Sequence, residues 1–281
     1  MAIRGWRRPG AAVVAVLAAV CASGPERPQA TGTASGPGPL PADRYSSTTQ
    51  DYQRAKRASA LLVRQCMAKR GHPDFPLDPR DPTDPIVAAM VSTDYGALDL
   101  AAARRWGYGW DPEKSVVSEP KGRRMTGAEY VDVPACNAEA DRQLMRGIDV
   151  QKDWIYAGQR ATEVDKAVKG DPRLRAAFEV WSRCMAERGF IGYPDPIAAY
   201  SDDAWQRDSD GNTLHTRRER ATAAADVTCK RRHHTTELWH EVRAQNQAAD
   251  ISQHRDRYAA GLRALRAYRA NIAAVLRRPG Q

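Results

Sequence analysis

The chain has 281 residues, enough for one large or two small domains with a buried core, and its formal net charge is +9. Arg4, Arg7 and Arg8 lie within the first 21 residues, which contain no acidic residue, and the rest of the chain carries +6. This moderate excess favours anionic surfaces such as cell-wall polymers or lipid head groups. No block of Lys and Arg interleaved with aromatic residues occurs, so we expect no nucleic-acid partner.

The N-terminus has the three parts of a secretory signal peptide. The three arginines form the positive region, residues 11–20 form an apolar run, and the small residues Ala22, Ser23 and Gly24 follow. An apolar run of this length covers about half of a bilayer core, so it is too short for a stable transmembrane helix. Residues 1–21 are therefore interpreted as a signal peptide, and the protein is expected to be extracytoplasmic.

Cys21 ends the apolar run, where a bacterial lipoprotein carries its lipidated cysteine. A lipobox usually has Leu three positions before the cysteine and Gly or Ala directly before it, whereas this chain has Leu17 and Val20. Lipidation of Cys21 and ordinary secretion both stay open. Residues 22–44 are rich in Pro, Gly, Ser and Thr and are predicted to be a disordered tether, which fits either case. Membrane association is expected only through such an N-terminal lipid anchor.

An internal repeat relates the two halves of the chain. Residues 57–76, RASALLVRQCMAKRGHPDFP, align without gaps with residues 175–194, RAAFEVWSRCMAERGFIGYP. The shared centre CMAxRG makes duplication the economical explanation. We place the first helical repeat at residues 45–170 and the second at residues 171–281.

Four cysteines remain after Cys21, and an even number in an exported chain favours disulfides. Each repeated motif contains one cysteine and each half has a later one. Because a duplicated unit should carry a duplicated bridge, we predict the pairs Cys66–Cys136 and Cys184–Cys229. Free or differently paired thiols are the alternative.

Apolar residues at helical spacing dominate both halves, so the predicted fold class is all-α. In the second copy Gly170, Asp171 and Pro172 predict the end of one helix and the start of the next, which Gly189 ends. Longer helices are predicted over residues 135–169 and 216–277, each beginning near the second cysteine of its half. We expect duplicated helical hairpins with long loops, each half closed by a disulfide, and a long C-terminal helix.

Several stretches resemble a group of actinobacterial secreted proteins and predicted lipoproteins of unknown function. They are WSRCMAERGF at residues 181–190, ATAAADVTCK at 221–230 and RRWGYG at 104–109. The resemblance implies export and a helical architecture, and it brings no catalytic residue. In this chain five residues separate Tyr130 from Cys136. Members of the group often have a longer segment at this point.

Two groups of side chains are candidate metal sites. His233 lies one turn past Cys229 and His240 two turns further, so both imidazoles would share one face of a continuous helix and bind zinc or copper. The alternative is a solvated cationic face. The second group has the spacing of a calcium-binding loop and comprises Asp208, Asp210, Asn212 and Glu219. However, Thr213 stands where such a loop needs Gly, and a plain turn is the alternative.

Three aromatic residues separated by glycines, Trp106, Tyr108 and Trp110, could stack on sugar rings of the cell wall. The favoured alternative is that they pack against the helical core, because aromatic side chains bury a large area.

No sequence motif of a nucleophile, a phosphate loop or a metalloprotease occurs, so we expect neither an enzyme nor a cofactor. The leading hypothesis is a non-enzymatic cell-envelope protein that acts by binding, as an accessory to an envelope complex or transporter. Its partner would be an envelope protein or a cell-wall component. The rival is a cell-wall hydrolase or metal-dependent enzyme with its site around His233 and His240, or around Trp106 with Glu129.

Overall fold

The computed structural model describes residues 37–75, 95–112, 124–208 and 211–277, and in these ranges the protein is helical, with no strand. The predicted all-α fold class is therefore confirmed. The signal peptide, Cys21, most of the tether and Asp210 lie outside the described residues. The nine α-helices of the described ranges are α1 Thr49–Lys69, α2 Leu100–Trp106, α3 Gly127–Leu144, α4 Tyr156–Gly170, α5 Pro172–Glu187, α6 Pro196–Tyr200, α7 Arg217–Arg232, α8 Thr235–Gln253 and α9 Arg255–Leu276.

The repeated CMAxRG motif ends α1 and α5 in the same way. Gly71 and Gly189 adopt positive φ angles of 93° and 85°, which glycine tolerates without strain. The amide that follows each glycine donates to the carbonyl of the motif's methionine, over 2.9 Å at Met67 and 3.0 Å at Met185. The glycine amide itself donates to the carbonyl of the alanine that follows the methionine, and the two hydrogen bonds together form a Schellman cap. The motif thus combines a helix end, a buried methionine and a bridging cysteine.

Both predicted disulfides are present. Cys66 of α1 is bonded to Cys136 of α3, and Cys184 of α5 is bonded to Cys229 of α7. Two disulfides are typical of proteins that fold in an oxidising compartment outside the cytoplasm.

The predicted extent of the two long helices next to the second cysteines is wrong. The segment predicted at 135–169 is divided into α3 and α4 by a turn at Gly147, with a φ of 76°, and a π-helical turn at Val150–Trp154. The first of the two helices begins at Gly127, after the Thr126 N-cap, so Cys136 lies inside α3 rather than at a helix start.

The segment predicted at 216–277 consists of α7, α8 and α9. His234 adopts a left-handed φ of 50° between the first two, and His254 has a non-helical conformation between the last two. The long C-terminal helix is present, as the 22 residues of α9, and Cys229 lies near the end of α7 rather than at the start of a helix.

The hydrophobic cores cross the boundary between the two repeats at residues 170 and 171. Tyr268, Ile272 and Val275 of α9 pack into the cluster that surrounds the Cys66–Cys136 bridge of the first half. Ala103 and Tyr108 of the first half belong to the cluster around the Cys184–Cys229 bridge. Each half therefore completes the core of the other, and the described residues form one packed body.

Candidate functional site

A groove open to solvent lies where α8 meets α9, and residues 40–45, at the end of the segment predicted as a tether, form one of its walls. Its volume is about 360 Å³. On α8, Ile251 and Ser252 lie about one turn after Ala248, and Arg255 is the first residue of α9. The lining residues are Leu40, Pro41, Arg44, Tyr45, Ala248, Ile251, Ser252 and Arg255.

The N-terminal wall of the groove is fixed to the helices by polar and aromatic contacts. The Leu40 amide donates to Asp43 Oδ2 over 2.7 Å, which shapes the turn. The Ala42 amide donates to Oε1 of Gln247 on α8 over 3.0 Å. The Tyr45 ring packs on Tyr258 of α9 with 4.8 Å between ring centroids. These contacts shape the groove before any ligand arrives.

Asp250 connects the helices beside this groove. Its carboxylate accepts hydrogen bonds from the Arg160 guanidinium of α4 and from the Tyr258 hydroxyl, the latter over 2.6 Å. Burial alone would raise the pKa of Asp250, but the hydrogen bonds from Arg160 and Tyr258 outweigh it and hold this pKa below its ordinary value. The carboxylate therefore stays ionised at neutral pH and keeps α4, α8 and α9 together.

Two cations of the groove lack an acidic partner within the described ranges. Arg44 is exposed, and its guanidinium lies over the Tyr45 ring, 5.0 Å from the centroid. Arg255 is exposed at the first position of α9 and makes no ion pair with another described residue. The Ser252 hydroxyl lines the groove as well. The groove thus presents two guanidinium groups and a hydroxyl beside aliphatic and aromatic surface.

The three aromatic residues proposed as a sugar platform pack mainly against the protein. Tyr108 is buried, in T-shaped contact with Tyr200 and at 5.8 Å from the Trp205 ring. Burial raises the pKa of Tyr108 well above its ordinary value. Trp106 packs edge-on against His215, and Trp110 is only partly exposed.

The candidate calcium loop supports this aromatic segment. Asn212 Oδ1 accepts a hydrogen bond from the Trp110 amide over 2.9 Å. Glu219, buried in the first turn of α7, accepts one from the Tyr108 amide over 2.9 Å and one from the Thr213 hydroxyl over 2.5 Å. A side chain at Gly107 would approach the Glu219 carboxylate to under 3.0 Å, which explains the glycine.

The other candidate metal ligands lie apart or carry other contacts. His233 is the C-cap of α7, whereas His240 lies on α8, so the break at His234 removes the common helix face that the sequence predicted. His240 Nδ1 hydrogen-bonds to the Tyr95 hydroxyl at 3.0 Å, and burial lowers the pKa of His240. Asp208 Oδ1 accepts from the Asn212 amide. Among the described residues, no group of three or more His, Cys, Asp or Glu could hold a metal ion.

Sequence reasoning did not identify the groove or one further polar pair. His72 Nε2 lies 2.9 Å from Asp132, which also accepts from Arg70 over 2.9 Å. The pKa of Asp132 is lowered, first by the hydrogen bond with His72 and then by that with Arg70. These contacts connect the end of α1 to α3, the two helices that the Cys66–Cys136 bridge also joins.

Comparison with known proteins gives no relative for this chain: no family model matches it, and neither a curated protein nor a solved structure does. Within the described ranges, none of the helices combines the length and the apolar character needed to cross a bilayer.

Proposed function

We propose that the protein is a non-enzymatic component of the cell envelope that acts by binding an anionic partner in the groove between α8, α9 and residues 40–45. The groove carries this proposal, because it combines concave shape, a fixed wall and two arginines without acidic partners. Such a partner would belong to the envelope, as a cell-wall component, a lipid or an acidic surface of an envelope complex or transporter.

Two observations support the compartment that we propose. The four bridged cysteines require oxidation during folding, which the cytoplasm disfavours. The first 21 residues have the composition of an export signal. We propose export, followed either by release or by attachment to the outer face of the membrane through a lipid on Cys21.

The positions of the buried acids support binding rather than catalysis. Glu219 accepts through Oε1 from the Tyr108 amide and the Thr213 hydroxyl, and Glu129 caps its own helix through Thr126. Both carboxylates are almost fully buried, so they hold backbone in place and do not face the groove. A general acid or base must reach the substrate through hydrogen-bond contact.

The test is site-specific photo-crosslinking in intact cells. A photoreactive residue replaces exposed Ser252 in the groove, and the matched control carries it at exposed Ala176 on α5. We expect adducts with an envelope component from position 252 and none from 176. The adducts should disappear when Arg44 and Arg255 are both changed to Gln.

Adducts from position 252 that persist in the Arg44→Gln/Arg255→Gln chain would contradict binding through the groove. A cytoplasmic chain with four reduced thiols would contradict the export that the proposal requires.

A further inference from the structure

We propose that the groove binds the headgroup of an anionic phospholipid at the membrane surface, with Arg44 and Arg255 contacting the phosphate. This inference rests on the proposed function, since it names the anionic partner of the same groove. It replaces the expectation that only an N-terminal lipid would attach the protein to a membrane. Its first support is charge. A guanidinium is planar, permanently charged and well suited to phosphate oxygens, and the groove offers two of them together with the Ser252 hydroxyl.

The second support is the position of the groove along the chain. Leu40 and Pro41 line it and lie 19 and 20 positions after Cys21, which ends the apolar run. The Ala42 and Tyr45 contacts hold this point of the chain against α8 and α9. The groove is thus lined by residues close in sequence to the N-terminal segment for which we propose export or a lipid anchor.

The third support is the apolar part of the lining. Leu40, Tyr45 and Ile251 offer aliphatic and aromatic surface beside the arginines. Such surface matches the glycerol backbone and the upper acyl region of a lipid, and Tyr commonly lies at the level of the head groups. A free phosphate would use the arginines and leave this apolar surface in contact with water.

The experiment measures co-sedimentation with lipid vesicles. An unrelated signal peptide replaces residues 1–21, so that the exported chain retains every described residue but lacks Cys21 and any lipid on it. Two kinds of vesicle are compared, phosphatidylcholine alone and an equal mixture of phosphatidylcholine with phosphatidylglycerol. We expect binding to the mixture, weak binding to phosphatidylcholine, and a marked loss as salt is raised.

Matched arginine variants separate the groove from the overall charge. One basic residue at an acidic bilayer surface contributes about fivefold to binding, so Arg44→Gln/Arg255→Gln is expected to lose about 25-fold. The control is Arg64→Gln/Arg183→Gln, which removes two exposed arginines on α1 and α5 that do not line the groove. We expect the control to lose less than about twofold, because its charges lie away from the contact.

An equal loss in both arginine pairs would overturn the inference, because binding would then be due to net charge. Absence of binding to phosphatidylglycerol vesicles would also overturn it. If glycerol phosphate still raised the melting temperature in that case, the groove would be assigned to a soluble anion. Crosslinks from position 252 to a protein partner, with no vesicle binding, would refute the lipid inference and leave the proposed function intact.

Discussion

Lys230 and Asp226 form an ion pair that lies entirely inside the protein, one turn apart on α7. Lys230 Nζ is 2.8 Å from Asp226 and also donates to the Tyr95 carbonyl over 2.6 Å, while Trp181 Nε1 donates to Asp226 over 3.0 Å. Burial raises the pKa of Asp226, and the Lys230 ammonium opposes that rise. The pair attaches the segment before α2 to the core of the second half.

Removing only the cation should cost more than removing both charges. We expect Lys230→Met to lower the free energy of unfolding by about 3–5 kcal/mol, because Asp226 would become a buried carboxylate without a counter-ion. The double variant Lys230→Met/Asp226→Asn should recover a large part of this loss, since Asn keeps an acceptor for Trp181. Urea unfolding of the three proteins measures the difference. A double variant as unstable as Lys230→Met alone would contradict the prediction.

At the level of the elements, the helix starts and ends that could be predicted from the sequence are those that local interactions determine. The helix start at Asp171 and Pro172 and the end at Gly189 follow from capping and from glycine conformation, and both are present. The break at His234 has no local signal, because neither glycine nor proline stands there and a non-glycine residue adopts the positive φ.

The groove lay beyond sequence reasoning for a related reason. The hydrogen bond that fixes its wall joins Ala42 to Gln247, and 205 positions along the chain separate these two residues. No periodicity or motif links positions so far apart. The disulfide pairs, 70 and 45 positions apart, could be predicted only because the repeat supplied the pairing.

The shared helix end gives a prediction with an internal control. Gly71→Ala and Gly189→Ala have open space around the new methyl group, so only the positive φ opposes them. Each should lower the free energy of unfolding by about 1–2 kcal/mol, and the two costs should be similar because the caps are alike. Gly127→Ala, at the start of α3 with equally open space and no positive φ, should be neutral or stabilising by up to about 1 kcal/mol. Thermal unfolding compares the three, and an equal loss at Gly127 would contradict the argument.

Over the whole molecule, the C-terminal helix unites the two halves. Ile272 of α9 lies in the core of the first half, and Arg269 of the same helix binds both carboxylate oxygens of Asp51 at the start of α1. At the other end of α9, Tyr258 bonds to Asp250 of α8. A chain whose halves complete one another in this way should unfold as a single cooperative unit, although its sequence is organised as two repeats.

These two carboxylates make the stability of the whole molecule depend on pH. Burial raises the pKa of Asp51 and of Asp250, but hydrogen bonds from Arg269 and Thr48 to the first, and from Arg160 and Tyr258 to the second, leave both pKa values below the ordinary one. Because the folded-state pKa values are depressed, the contribution to stability is present above the unfolded value of about 3.9 and is lost as pH falls through the folded values.

The free energy of unfolding should therefore fall steeply below about pH 4. Asp51→Asn and Asp250→Asn should each lower stability at neutral pH and flatten the fall in acid, because the amide cannot titrate. Asp256→Asn, at an exposed position of α9, should leave the acid slope unchanged. Urea unfolding between neutral and acidic pH measures all four proteins. The slope could instead be as steep in Asp51→Asn and in Asp250→Asn as in the parent chain. That result would mean that other carboxylates cause the acid sensitivity and that Asp51 and Asp250 do not hold α9 in place.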